Sequence, residues 1–281
     1  MGTNRRRTLA PGPRNGYSRA RRSLGGGADR MSLERQSQEP IPERIDIGRI
    51  LSGSLTVLRT RLGDLLIVAV LFLLVPQVLL GFAPAQFPDP EFAFWNLLAA
   101  IPGLVFDGAA SLIAYGALTG AAGPTAGDAV RAGVLKLSQL FVVLLGGGLA
   151  ILVGLILLVA PGLFLAASLL VATPVLMIEN TTVLEAFKRS VSLSRGSRWR
   201  LLGVMLVLAA ISLGAAALTA SALQVTILAT TDEIGKRLAL FVFGPILALV
   251  IRLVVMAVVT SAYVELKRVN GSASAVAKTF D

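Results

Sequence analysis

"SQLFVVLLGGGLAILVGLILLVAPGLFLAASLLVATPVLMIE", residues 138–179, is 42 residues of almost unbroken apolar chain. As one helix rising about 1.5 Å per residue it would extend about 63 Å, roughly twice the ~30 Å hydrocarbon core of a bilayer. A hairpin is forced, and Ala160–Pro161–Gly162 is the natural place to turn. The stretch therefore reads as two spans, roughly 138–159 and 161–179.

Working outward, four more apolar runs reach spanning length, at roughly 64–83, 93–118, 200–225 and 239–264. The composition agrees. The 281 residues are 55% hydrophobic and only 15% charged, where a soluble domain carries about a quarter. The pattern predicts an all-α membrane protein with six transmembrane helices. Residues 1–44 read as a disordered basic tail, 45–268 as the membrane domain, and 269–281 as a short polar tail.

The formal net charge of +10 is unevenly placed, because residues 1–30 hold eight Arg and one Asp. Two readings of that segment stand side by side. Translation starts at Met31, or the arginines form a polybasic tether to anionic lipid. The rest of the chain carries an ordinary balance and no stacking or groove-reading motif, so nucleic acid is not an expected partner. Cysteine and histidine are both absent. That removes thiolate metal sites, Cys nucleophiles and the commonest general base. No catalytic, cofactor-binding or metal-ligating residues are expected.

Lys and Arg concentrate before the first span, at 119–137, at 180–200 and after 265. The positive-inside rule then puts both termini in the cytoplasm. Trp95 and Trp199 fall near expected membrane–water boundaries.

The segments ahead of spans one, three and five share a design. Each has an acid followed three residues later by a base: Asp46/Arg49, Asp128/Arg131 and Glu185/Lys188. Thr125 with Asp128, and Thr182 with Glu185, have the spacing of a capping box, in which hydroxyl and carboxylate satisfy free N–H groups at a helix start. In the third segment Leu184, Phe187 and Val191 form an apolar stripe, and Gly196 is placed to end the helix. Amphipathic helices of this kind lie in the interface plane. The chain thus reads as three degenerate repeats, each an interfacial amphipathic helix plus a two-span hairpin.

The run from Pro161–Gly162 through Pro174–Val175, Glu179, "EAFKRS" at 185–190 and "SRG" at 194–196 carries a family resemblance. With "AYVELKR" at 262–268, it resembles the membrane domain of glycerophosphoryl diester phosphodiesterases, also found as a stand-alone bacterial integral membrane protein. The resemblance covers about residues 45–268 and implies a bacterial inner-membrane location, not a reaction. The phosphodiesterase chemistry needs a soluble barrel with carboxylates and histidines, which this sequence does not contain.

Asp107 and Arg252 are the charges deepest in the expected spans. Asp107 lies about 24 Å of helix past Glu91, and Arg252 about 22 Å past Arg237, both counted from the same side. Sharing a depth, they can offset one another, and an intramembrane Asp107–Arg252 pair is expected. Lys188, Arg189, Arg195, Arg198 and Arg200 are candidate contacts for anionic headgroups. Gly146/Ala150/Gly154 and Ser212/Ala216/Ala220 are small-residue stripes suited to close helix packing, and Gln77 and Gln139 are expected to bond between helices. Together these features predict a non-enzymatic membrane scaffold or regulator that contacts the bilayer, anionic phospholipid or an unidentified membrane partner. The alternative is a small transporter or lipid-handling protein with a path near Asp107 and Arg252.

Overall fold

The computed structural model describes residues 45–81, 89–120, 123–229 and 244–280. The basic tail and its two readings lie outside the described residues, as does the side chain of Trp95. Among the described residues there is no strand. Six segments of the described residues are long and apolar enough to cross a membrane: Leu62–Leu79, Ala100–Thr119, Leu137–Leu157, Val159–Ile178, Arg198–Ala222 and Gly244–Gly271.

Helix α1 (Ile47–Thr60) leads into α2 (Leu62–Ala69), which continues through a π-helical turn at Val70–Leu74 into α3 (Val75–Gly81). The π turn lies just ahead of Pro76. Proline has no N–H and its ring crowds the carbonyl four residues back, so the ladder is rearranged there. Next come α4 (Asp89–Thr119), α5 (Ala126–Leu135) and α6 (Leu137–Leu157). They are followed by α7 (Val159–Leu169), α8 (Ala172–Ile178) and α9 (Val183–Leu193). Two long helices close the chain, α10 (Arg198–Ala229) and α11 (Gly244–Phe280). Residues 269–280, expected as a polar tail, continue α11.

The hairpin expected within 138–179 is present, but it turns earlier than Ala160–Gly162. Leu158 alone breaks the helix, in an extended conformation at φ −162° and ψ 135°. Pro161 then falls in the first turn of α7. There its missing N–H costs nothing, because first-turn N–H groups lack partners within the helix. Glycine sets how tightly the helices close. A Cβ on Gly154 would fall 2.9 Å from the Gly162 Cα, and one on Gly162 would fall 2.5 Å from the Leu155 backbone nitrogen.

Each amphipathic helix is capped by its own sequence. Thr182 and Glu185 form a complete capping box: Thr182 N donates to Glu185 Oε2 at 3.1 Å, and Glu185 N to Thr182 Oγ1 at 3.4 Å. Thr125 accepts from Asp128 N at 3.2 Å, but its hydroxyl donates to Asp128 Oδ2 at 2.7 Å. The aspartate, one methylene shorter than glutamate, meets the hydroxyl. In α1 the cap is Asp46 itself, accepting from Gly48 N at 2.9 Å. The three acids are therefore not equivalent: Asp46 caps α1, whereas Asp128 and Glu185 sit three residues beyond their caps. Gly196, at φ +83°, adopts the left-handed conformation just beyond α9.

Counted from the caps, a common register emerges. The fourth residue is buried in each helix (Ile50, Ala129, Ala186), and so is the eighth (Ser54, Gly133, Ser190). The fifth and ninth are apolar and turn away from that buried edge: Leu51 and Leu55, Val130 and Val134, Phe187 and Val191. The expected α9 stripe is thus not its most buried side, and Leu184 is 62% exposed. Helix α5 does not stand apart from the bundle. It folds back along α4, with Gly123 against Gly116 at one end and Gly133 against Val105 at the other.

Helix α4 is at the centre of the bundle and α10 at its rim: 61% of the Ala100–Thr119 segment is buried against 11% of Arg198–Ala222. Helices α4 and α11 run side by side in one direction, joined at Asp107–Arg252 and again at Tyr115–Tyr263, whose ring centroids are 6.2 Å apart. One apolar core gathers α1, α4, α6–α9, α10 and α11, and a second gathers α1, α2, α4, α5 and α11.

Candidate functional site

Asp107 on α4 and Arg252 on α11 meet in two-pronged geometry. Arg252 Nε donates to Asp107 Oδ1 at 3.0 Å, and Nη2 donates to Oδ2. A guanidinium fork matched to a carboxylate is the geometry that best compensates two charges taken from water. The pair is asymmetric: the Asp107 side chain is 13% exposed and that of Arg252 is 44%. Gly103 leaves room for it, with Arg252 Nη2 3.8 Å from where a Cβ would stand.

The exposure of Arg252 comes from two adjoining cavities. One, of about 770 Å³, lies between α10 and α11 and is lined by Ser212, Ala216, Thr219, Gly244, Ala248 and Arg252, among others. The other, of about 300 Å³, reaches Arg252 from the π turn, with Phe72, Leu73 and Gln77 on its wall. The Ser212/Ala216/Ala220 stripe, expected to pack tightly, instead walls the larger cavity. The facing residues on α11 include Gly244, Ala248 and Arg252, and the two helices leave a gap between them. Gln77 and Gln139 are exposed rather than bonded between spans.

The basic cluster at 188–200 divides in two. Three of its five members engage the rest of the bundle, although Arg189 stays 50% exposed. Arg189 Nε lies 3.3 Å from Glu179 Oε2, Arg200 donates to the Ile45 carbonyl, and the Arg198 Nε is buried. Lys188 and Arg195 are exposed and line a groove of about 430 Å³ between α6, α7 and α9. Gly146, Gly147 and Ala150 contribute to its wall, so the first small-residue stripe faces α9, with Phe187 3.6 Å from a Cβ on either glycine. Trp199, 74% exposed, meets Phe164 edge to face at 4.7 Å.

A hub absent from the expected sites gathers at Glu179. It accepts from Tyr263 Oη at 2.9 Å while pairing with Arg189, and Lys267 lies 5.8 Å above the rings of Tyr115 and Tyr263. Tyr263 stands 84 residues from Glu179, and no local pattern relates the two. At the junction of α5 and α6, Lys136 Nζ donates to the Leu176 carbonyl at 2.8 Å, and burial holds its amine below the usual lysine value. Among the described residues no cluster of acids could hold a metal.

Compared with known proteins, the chain matches no family model, no curated protein and no solved structure.

Proposed function

We propose that this chain is a non-enzymatic membrane scaffold or regulator that holds anionic phospholipid in the groove beside α9. One observation carries the reading: an apolar, glycine-walled groove with Lys188 and Arg195 lining it, both exposed, Lys188 beside Glu185 of its own helix and Arg195 in no ion pair among the described residues. The apolar wall, where Phe187 packs on Gly146 and Gly147, suits an acyl chain, while two exposed cations at its edge suit a phosphate. Arg189 is committed to Glu179 and Arg200 to the Ile45 carbonyl, which separates lipid contact from support.

The shared cap register supports reading the chain as three degenerate units, each an amphipathic helix followed by a two-span hairpin. On that reading the amphipathic helices, with the groove, lie toward the cytoplasm and both termini are cytoplasmic. The likeness to the phosphodiesterase membrane domain, in a bacterial inner membrane, belongs to the same proposal.

Fluorescent phosphatidylglycerol titrated into the detergent-extracted chain tests the lipid contact. Removing two headgroup contacts worth about 1 kcal/mol each predicts that Lys188→Gln with Arg195→Gln weakens binding at least about tenfold. Unchanged affinity would contradict it.

A second reading, a lipid-handling protein with a path near Asp107 and Arg252, draws on the two cavities that adjoin that pair.

A further inference from the structure

The α10–α11 cavity presents chemistry unlike that of the α9 groove. Among the described residues its single charged lining residue is Arg252, and that charge is already balanced by Asp107. The guanidinium has five N–H donors. Nε and Nη2 face the carboxylate, and Nη1 makes no hydrogen bond among the described residues. What remains is hydrogen-bonding capacity without net charge. A second anion here would be an uncompensated charge inside the membrane, which is costly. An uncharged acceptor would satisfy the spare donors at no such cost.

The opposite wall sharpens this. Thr219 packs on Gly244, 3.5 Å from where a Cβ would stand. Pairing the two helices antiparallel from that point brings Ser212 to the level of Arg252, since each lies about two turns along its helix. A donor cluster therefore faces a hydroxyl. The rest of the wall is apolar or small: Ala216, Ala220, Ala248, Ile251, Val255 and Met256. The open side lies between two membrane spans, and α10 is largely unburied.

We propose that this cavity binds a neutral acylglycerol, its ester carbonyl accepting from Arg252, a glycerol hydroxyl meeting Ser212, and its chain lying along the alanine wall. The inference rests on the lipid-handling reading and names the ligand class for it.

The test uses the full chain in detergent and a photoactivatable diazirine monoacylglycerol, with labelled peptides identified by mass spectrometry. Labelling is expected in 212–220 and 244–256. Excess 1-oleoylglycerol should compete at least about tenfold better than oleyl phosphate, because only the latter adds charge to a neutral pair. Ala216→Phe, from a lipid-exposed position, should reduce labelling about tenfold with unchanged thermal stability by filling the space. Ala248→Phe repeats the test from the facing wall if the first variant folds poorly. Equal competition by oleyl phosphate would overturn the neutral-ligand inference and leave the lipid-handling reading standing. Labelling of both filled variants at the wild-type level would place the probe outside the cavity and overturn the site. No labelling of α10 or α11 would remove both the inference and the lipid-handling reading.

Discussion

Arg252 grips Asp107 with two of its nitrogens, although the arginine is 44% exposed and the aspartate 13%. The carboxylate is the member that cannot tolerate losing its partner. Arg252→Gln leaves it buried and uncompensated. It should cost about 3 kcal/mol, the low end for breaking a buried pair because the arginine is partly open. Adding Asp107→Asn should restore most of that loss. Unfolding midpoints of the single and double variants in detergent measure the coupling, and no recovery in the double variant would show that the pair is not the source of stability.

The Gly154–Gly162 contact predicts a position-specific glycine effect. Gly162→Ala drives a methyl into the α6 backbone and should destabilise by about 1–3 kcal/mol. Gly148→Ala, in the same helix with nothing within 4 Å of its Cβ, should be neutral or stabilise by up to about 1 kcal/mol. Thermal unfolding of the two variants distinguishes a sterically required glycine from a tolerated one.

The start of α9 predicts a dependence on acid. Thr182→Ala removes the cap hydroxyl and should cost about 1 kcal/mol. Glu185 accepts from the backbone and hydroxyl of Thr182, which hold its carboxyl below the usual glutamate value. A depressed pKa contributes stability that is complete above the unfolded value, about 4.3, and is lost as pH falls through the folded one. The protection factors of α9 amides, corrected for the intrinsic exchange rate, should therefore fall under acid in the wild type, and much less in Glu185→Gln.

Much of this architecture is legible in the chain because the bilayer fixes length and the backbone must satisfy itself. The 42-residue run had to fold back, and it does. The exact turn was not legible: Pro161–Gly162 reads as a break, yet proline is equally at home in a first helical turn, and the steric fit of two glycines set the register. Asp107 and Arg252 could be matched because helix rise converts sequence distance to depth. The acid–base pairs misled about equivalence, since Asp46 serves as a cap where the others use threonine. The pairing of Arg189 could not be read, because its partner Glu179 lies outside α9 and is held by Tyr263 from the last helix. The cavity at Ser212 was likewise hidden: a small-residue stripe permits close packing but does not compel it, and here the facing helix leaves a gap that reaches from Gly244 to Met256.

Arg189 and Lys188 are neighbours in sequence with opposite assignments. Arg189→Gln should destabilise the fold by about 1.5 kcal/mol through loss of a charged hydrogen-bond partner for Glu179, while leaving phosphatidylglycerol affinity unchanged. Lys188→Gln should do the reverse.

Native mass spectrometry of the detergent-extracted chain tests the central claim, anionic phospholipid held at Lys188 and Arg195, most directly. The wild type and Arg189→Gln should retain phosphatidylglycerol through delipidating detergent, and the Lys188→Gln, Arg195→Gln double variant should lose it. Equal retention by all three would contradict the account.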